Sequence, residues 1–154
     1  MKLTTKGRFA VTAMLDLAMH SENGAVKLNA ISERRSISLS YLEQLFGRLR
    51  RAGLVESIRG PGGGYILGRS AGDINIAEII AAADDTLDAT QCRSKADCHQ
   101  GLPCLTHNLW ENLNRTIDNY LSSVTLQSVL DQSPEHGAKV VTLTKHPEHS
   151  DTNR

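Results

Sequence analysis

Aromatic residues make up only 4% of this 154-residue chain, so its core must be built mainly from Leu, Ile, Val and Ala. No apolar run approaches the roughly 18 residues that a membrane-crossing helix needs, and no membrane partner is expected. The first residues, "MKLTTKGRFAVTAMLDLAM", mimic a signal peptide weakly: Asp16 interrupts the apolar stretch and its period is helical, so a cytoplasmic location is expected. Phosphate-loop spacings (GxGxxG, GxxxxGK[ST]), a Ser-His-Asp set and a flavin signature are all missing, so no enzyme is expected. Cysteine is scarce and odd in number, with three in all. In a reducing compartment that argues against disulfides and for metal or redox chemistry.

What is there divides in two. The formal net charge is zero, yet residues 1–70 carry 11 Lys and Arg against 5 Asp and Glu, and residues 71–154 carry 6 against 12. A basic half and an acidic half suit different partners, and the basic half is a candidate for binding a polyanion.

In the basic half, 7–21 places Ala10, Met14, Leu17 and Ala18 at helical spacing, and 27–35 suits a short second helix. In 36–53, Leu39, Leu42, Leu45, Phe46 and Leu49 form one apolar stripe, with Ser40, Glu43, Gln44, Arg48 and Arg51 largely off it. Ser38 or Ser40 suits the N-cap, Ser40 with Glu43 matches a capping box, and Gly53 suits the C-terminal stop. Two β-prone runs, 54–58 and 65–67, then flank "RGPGGG", which reads as a hairpin with a projecting tip. Helix, short helix, polar-faced helix and hairpin are the order of a winged helix-turn-helix. The expected fold is therefore mainly α with a small β-hairpin wing, and the expected partner is double-stranded DNA. A major groove admits one helix, on which Ser40, Glu43 and Gln44 would meet base edges, with Ser38 and Tyr41 also in the expected DNA-binding set. Lys2, Lys6, Arg8, Arg48, Arg50 and Arg51 are candidates for phosphates, and Arg59 with Gly60 for a narrow minor groove at the wing. A winged helix used for protein contacts is the competing reading.

In the acidic half, "DINIAEIIAAADD" reads as a short strand or turn leading into an apolar helix. A longer helix is expected to begin near Pro103, with Leu109, Leu113, Thr116, Ile117, Tyr120, Leu121 and Val124 on one stripe. That stripe suits a homodimer, or packing on its own chain. The expected division is 1–70 for DNA binding, 71–130 for a loop and dimerisation helix, and 131–154 for a polar, mobile tail. Between the two helices lies "CRSKADCHQGLPCLTH", with every cysteine of the chain. Cys92, Cys98, Cys104 and His107 are spaced C-x5-C-x5-C-x2-H in polar surroundings, which suits a metal site better than buried thiols. Structural zinc commonly takes Cys3His, usually through a tight CxxC knuckle. The wide gaps here let the loop wrap something larger, as an iron–sulfur cluster requires. His99 is an alternative fourth ligand to His107.

"RGPGGGY" with "ISLSYLEQLF", three cysteines and "LTH" resembles the IscR family of bacterial iron–sulfur cluster regulators. The resemblance spans residues 1 to about 130, and the tail has no comparable signature. It implies a dimeric winged-helix transcription regulator whose loop holds a [2Fe–2S] cluster through Cys92, Cys98, Cys104 and His107. It also implies iron rather than zinc, and cluster-assembly machinery as the donor. The filled form would repress cluster-assembly genes, while the cluster-free dimer still binds a second class of DNA site. A zinc-stapled, non-sensing DNA binder and an iron–sulfur electron or cluster carrier are the rival functions.

Overall fold

The computed structural model of the chain describes residues 5–83, 101–102 and 105–135. Among them are six α-helices, α1 (Thr5–His20), α2 (Leu28–Arg35), α3 (Leu39–Arg51), α4 (Ile76–Ala82), α5 (His107–Ser123) and α6 (Leu126–Gln132). Between α3 and α4 lies one antiparallel pair, β1 (Val55–Ile58) and β2 (Gly64–Leu67), in the register Val55 opposite Leu67 and Ile58 opposite Gly64. No helix among the described residues is long and apolar enough to cross a membrane. The fold is mainly helical with a hairpin wing, as the order of segments requires.

Helix α1 is central. Ala10, Ala13, Met14 and Leu17 are fully buried at helical spacing, and Ala18 lies at the edge of that stripe, half-buried. Gly7 and the two alanines keep this face thin, and α1 packs against α2, α4, α6 and β2. Helix α3 buries Leu42, Leu45, Phe46 and Leu49. Leu39 departs from the expected stripe: it is the first residue of the helix and is 37% exposed. Phe46 meets Tyr65 of β2 edge-on at 4.9 Å, so one ring locks the wing to the helix.

The caps of α3 also differ from one expectation. Ser38 is the N-cap, its hydroxyl accepting from the Tyr41 N–H at 3.2 Å. Ser40 therefore sits inside the helix, and the Ser40–Glu43 capping box does not form. At the other end Gly53 takes φ +75° and donates to Arg50 O at 3.0 Å, the left-handed stop expected there.

The change of charge near residue 70 does not mark the end of the core. Ile74, Ile76, Ile79, Ile80 and Leu126 join the same buried cluster as α1 and α3. Ile76 N donates to Val124 O and Leu126 N to Ile74 O, both at 2.9 Å, so the chain leading into α4 pairs with the chain leading into α6. Helices α4 and α6 thus close the amino-terminal core. Helix α6 runs to Gln132, and Glu135 forms an ion pair with Arg35 at 2.8 Å, so the stretch expected as a tail from 131 begins in packed structure. Its remainder, 136–154, lies outside the described residues.

Beneath α1 sits a charge cluster that the apolar pattern marked only faintly. Asp16 is fully buried. Arg34 grips its carboxylate through Nε and Nη2 at 2.6–3.2 Å, and Arg35 Nε holds Oδ2 at 2.7 Å. Burial pushes the Asp16 carboxyl up, but the hydrogen bonds from Arg34 and Arg35 outweigh it and hold the group below its ordinary range. Arg35 also spans Glu135 with two nitrogens at 2.8 and 3.0 Å. Two of the eleven basic residues of the amino-terminal half are therefore spent inside the fold.

Candidate nucleic-acid interface and metal centre

At the start of α3, Ser38, Ser40, Glu43 and Gln44 are all exposed on the helix, opposite Leu42, Leu45, Phe46 and Leu49. Burial of that apolar face fixes which way the polar one points. Tyr41 is half-buried and rests edge-on against Phe9 at 5.7 Å, so its ring belongs partly to the core. Toward the end of the helix, Arg50 and Arg51 are exposed. Arg50 Nη1 reaches Ser57 Oγ of β1 at 3.3 Å, and Arg51 Nε donates to Gly47 O at 3.2 Å. Arg48 departs from the expected phosphate set. It is half-buried, and its Nη1 donates to Ala83 O at 3.1 Å, satisfying a carbonyl at the end of α4. Arg8 is exposed on α1, and Lys2 lies outside the described residues.

The wing tip is made by backbone demands. Gly63 N donates to Gly60 O at 2.9 Å, closing a turn with Pro61 and Gly62 at its centre. Proline presets the first central residue, and Gly62 takes φ +74° at the second, which a side chain would strain. A Cβ on Gly63 would come within 2.3 Å of Ile58 O, so the tip has no room for another residue there. Arg59, Gly60 and Pro61 are left exposed at the apex. The exposed start of α3 and this tip are joined through Phe46–Tyr65 and Arg50–Ser57 into one unit.

Helix α5 begins with His107, the fourth residue of the expected metal set. Cys92, Cys98, Cys104 and His99 lie outside the described residues, and among the described residues no three metal-ligating side chains converge. His107 and Asp16 are the buried polar or charged side chains of the described residues. The His107 ring is 5% exposed, with Nε2 at 3.2 Å from Oε1 of Glu111 one turn on. Just before the helix, Thr106 accepts from the Trp110 indole N–H at 3.0 Å, which pins the first turn. An imidazole withdrawn from water, with a carboxylate on one nitrogen, is the usual setting of a ligating histidine. Three thiols and this imidazole are a donor set that fits iron–sulfur clusters and zinc alike. Along α5 the stripe divides: Leu121 packs against the core, whereas Leu109 in the first turn and Tyr120 near the end are 58% and 66% exposed.

Two local features escaped the sequence reading. Asn75 and Glu78 form a full capping box on α4, with bonds of 2.9 and 3.1 Å, and Arg69 clasps Glu78 at 2.9 Å. The N-x-x-E spacing before an apolar run was the available signal. The Asp16 cluster had a fainter one, an acid placed at core spacing in α1.

Residues 3–132 match the model of Rrf2, described as an iron-dependent transcriptional regulator. A helix-turn-helix-type transcriptional regulator of Neisseria meningitidis serogroup A is 73% identical over 145 residues, covering 94% of this chain and 98% of that one. The transcriptional regulator IscR of Photobacterium profundum is 59% identical over 130 residues, covering 84% and 76%. Among solved structures, that of T. potens IscR superposes with a TM-score of 0.72 at 39% identity, covering 88% of this chain and 90% of that one.

Proposed function

Because the chain belongs to the Rrf2 family of iron-dependent transcriptional regulators, we propose that this DNA-binding regulator senses the supply of iron–sulfur clusters. Cys92, Cys98, Cys104 and His107 hold a [2Fe–2S] cluster delivered by cluster-assembly machinery. The observation that carries this reading is His107: the one histidine three residues after a clustered thiol is also a buried, oriented imidazole. When bound, the cluster supplies a labile, redox-active reporter of iron and sulfide supply. The chain's own part is to read DNA with the exposed start of α3 and the wing. Ser38, Ser40, Tyr41, Glu43 and Gln44 face base edges, while Arg8, Arg50 and Arg51, with Lys2, meet phosphates. Arg59 and Gly60 enter the minor groove. Arg48 serves by holding α3 on α4. The exposed apolar side of α5, with Leu109 and Tyr120, is covered by a second copy, giving a homodimer for paired half-sites. Loaded protein represses or activates genes of cluster biogenesis and iron–sulfur proteins, which closes a feedback loop.

The test is anaerobic purification with iron, sulfide and zinc analysis, followed by DNA binding with and without the cluster. Iron and acid-labile sulfide in equal amounts, with salt-sensitive binding of specific duplexes, is the expected result. Colourless protein carrying one zinc would overturn the cluster, and iron–sulfide protein that ignores DNA would make it a carrier. At the wing, Arg59→Ala is expected to weaken DNA binding by about 1.5 kcal/mol, roughly tenfold, through loss of a charged hydrogen bond. The loss should be greater on duplexes with a narrow groove near the site. Equal affinity of the variant on every duplex removes Arg59 from the contact surface.

A further inference from the structure

The buried His107 ring has a neighbour with no part in the thiol–imidazole set. Glu111 stands four residues on, on the same face of α5, and its Oε1 is 3.2 Å from His107 Nε2. The two are fixed by one helix whose first turn is pinned by Trp110 on Thr106, so the contact is built into the fold. It is not an ordinary surface pair. The imidazole is 5% exposed and the carboxylate 37%, so the acid looks inward at one end and into water at the other. A carboxylate on Nε2 keeps the ring proton there and places the lone pair on Nδ1, which selects one tautomer and one ring orientation.

We infer that Glu111 is a positioning residue for the cluster, orienting the His107 ring and thereby setting how long the cluster is held and how readily it is reduced. The inference rests on the cluster reading above. Electron density pushed through the imidazole strengthens its bond to iron, so the cluster is lost more slowly. A negative charge nearby also favours the oxidised cluster over the more negative reduced one, which lowers the reduction potential. A sensor must hold its cluster long enough to report and release it when supply falls. Glu111 is a single side chain that adjusts this balance without touching the ligands.

The experiment compares the full chain with Glu111→Gln and Glu111→Ala after anaerobic loading with iron and sulfide. Cluster loss is followed by visible absorbance in the presence of a chelator, and the reduction potential by titration. Loss is expected to be about tenfold faster in Glu111→Ala, the lower end of the usual effect of removing such a partner. Its potential should move in the positive direction. Glu111→Gln keeps an acceptor oxygen without the charge, so it should be intermediate in lifetime and close to alanine in potential. Wild-type lifetimes and potentials in both variants overturn the inference. So does faster loss with an unchanged potential and an equal fall in the thermal midpoint of the cluster-free chain, which would make Glu111 a stabiliser of α5. A wild-type chain that takes up no iron and sulfide overturns the cluster reading itself, and this inference with it.

Discussion

Asp16→Ala is expected to destabilise the cluster-free chain by about 3 kcal/mol, roughly a hundredfold in the folding equilibrium, at neutral pH. The carboxylate is fully buried, and both Arg34 and Arg35 are hydrogen-bonded to it. Removing it leaves a cavity beneath α1 and an Arg34 guanidinium without its carboxylate, while Arg35 keeps Glu135. The arginine side chains are 34% and 21% exposed, so water reaches them and the loss stays near the low end of the range for a broken buried pair. Arg34→Ala should cost less, because Arg35 still holds Oδ2. The pH dependence follows from the depressed Asp16 carboxyl. Its folded value lies below the ordinary 3.8, so the stabilisation is present above 3.8 and is lost as pH falls through the folded value. Asp16→Asn, nearly isosteric but uncharged, should therefore lose part of the acid sensitivity along with stability. Urea unfolding at neutral and acid pH measures both effects. A wild-type midpoint for Asp16→Ala would mean that the arginines stabilise α2 without it.

The same cluster shows what was legible in the sequence and what was not. The α3 stripe could be read because Leu42, Leu45, Phe46 and Leu49 repeat at the helical period and face a single core. The wing was legible because Pro61 and Gly62 have few other uses at that spacing. Asp16, by contrast, lies 18 and 19 residues from the two arginines that hold it. Periodicity describes one element at a time and cannot pair an acid with arginines on another helix. The role of Arg48 was hidden for the same reason, since Ala83 is 35 residues away. The stripe of α5 could be read as apolar, but which of its residues meet the core depends on where α4 packs against it. At the metal set, the sequence suggested a helix beginning near Pro103, whereas α5 begins at His107 itself. Its burial and the approach of Glu111 are consequences of how the first turn packs. Cys92, Cys98 and Cys104 remain known by their spacing and by the resemblance they carry.

Glu43→Ala should change DNA preference while leaving stability within about 0.5 kcal/mol of wild type. The most economical structural role for this acid was a capping box with Ser40, and the geometry removes it: Ser38 is the cap, and Ser40 lies inside α3. Among the described residues none makes a hydrogen bond or ion pair with Glu43, whose side chain is exposed on the face proposed to read DNA. An unpartnered carboxylate against a polyanion must be satisfied there or be penalised. It can accept from a cytosine amino group, but it repels a thymine carbonyl or a nearby phosphate. It therefore acts chiefly against wrong sites. If cluster binding supplies the extra contacts that make one class of site tolerable, removing the acid makes those contacts unnecessary. The cluster-free variant should then bind duplexes otherwise reserved for the loaded form. The expected gain is about 1–3 kcal/mol, roughly five- to 150-fold, on the scale of a single base contact. Both classes must be measured with and without cluster at one salt concentration, because the phosphate contribution varies steeply with salt. A variant that loses affinity for both classes by one common factor would show that Glu43 supports the helix without discriminating between sites. A gain confined to cluster-free protein on one class would place the discrimination in this carboxylate, since charge relief at phosphates alone would raise both.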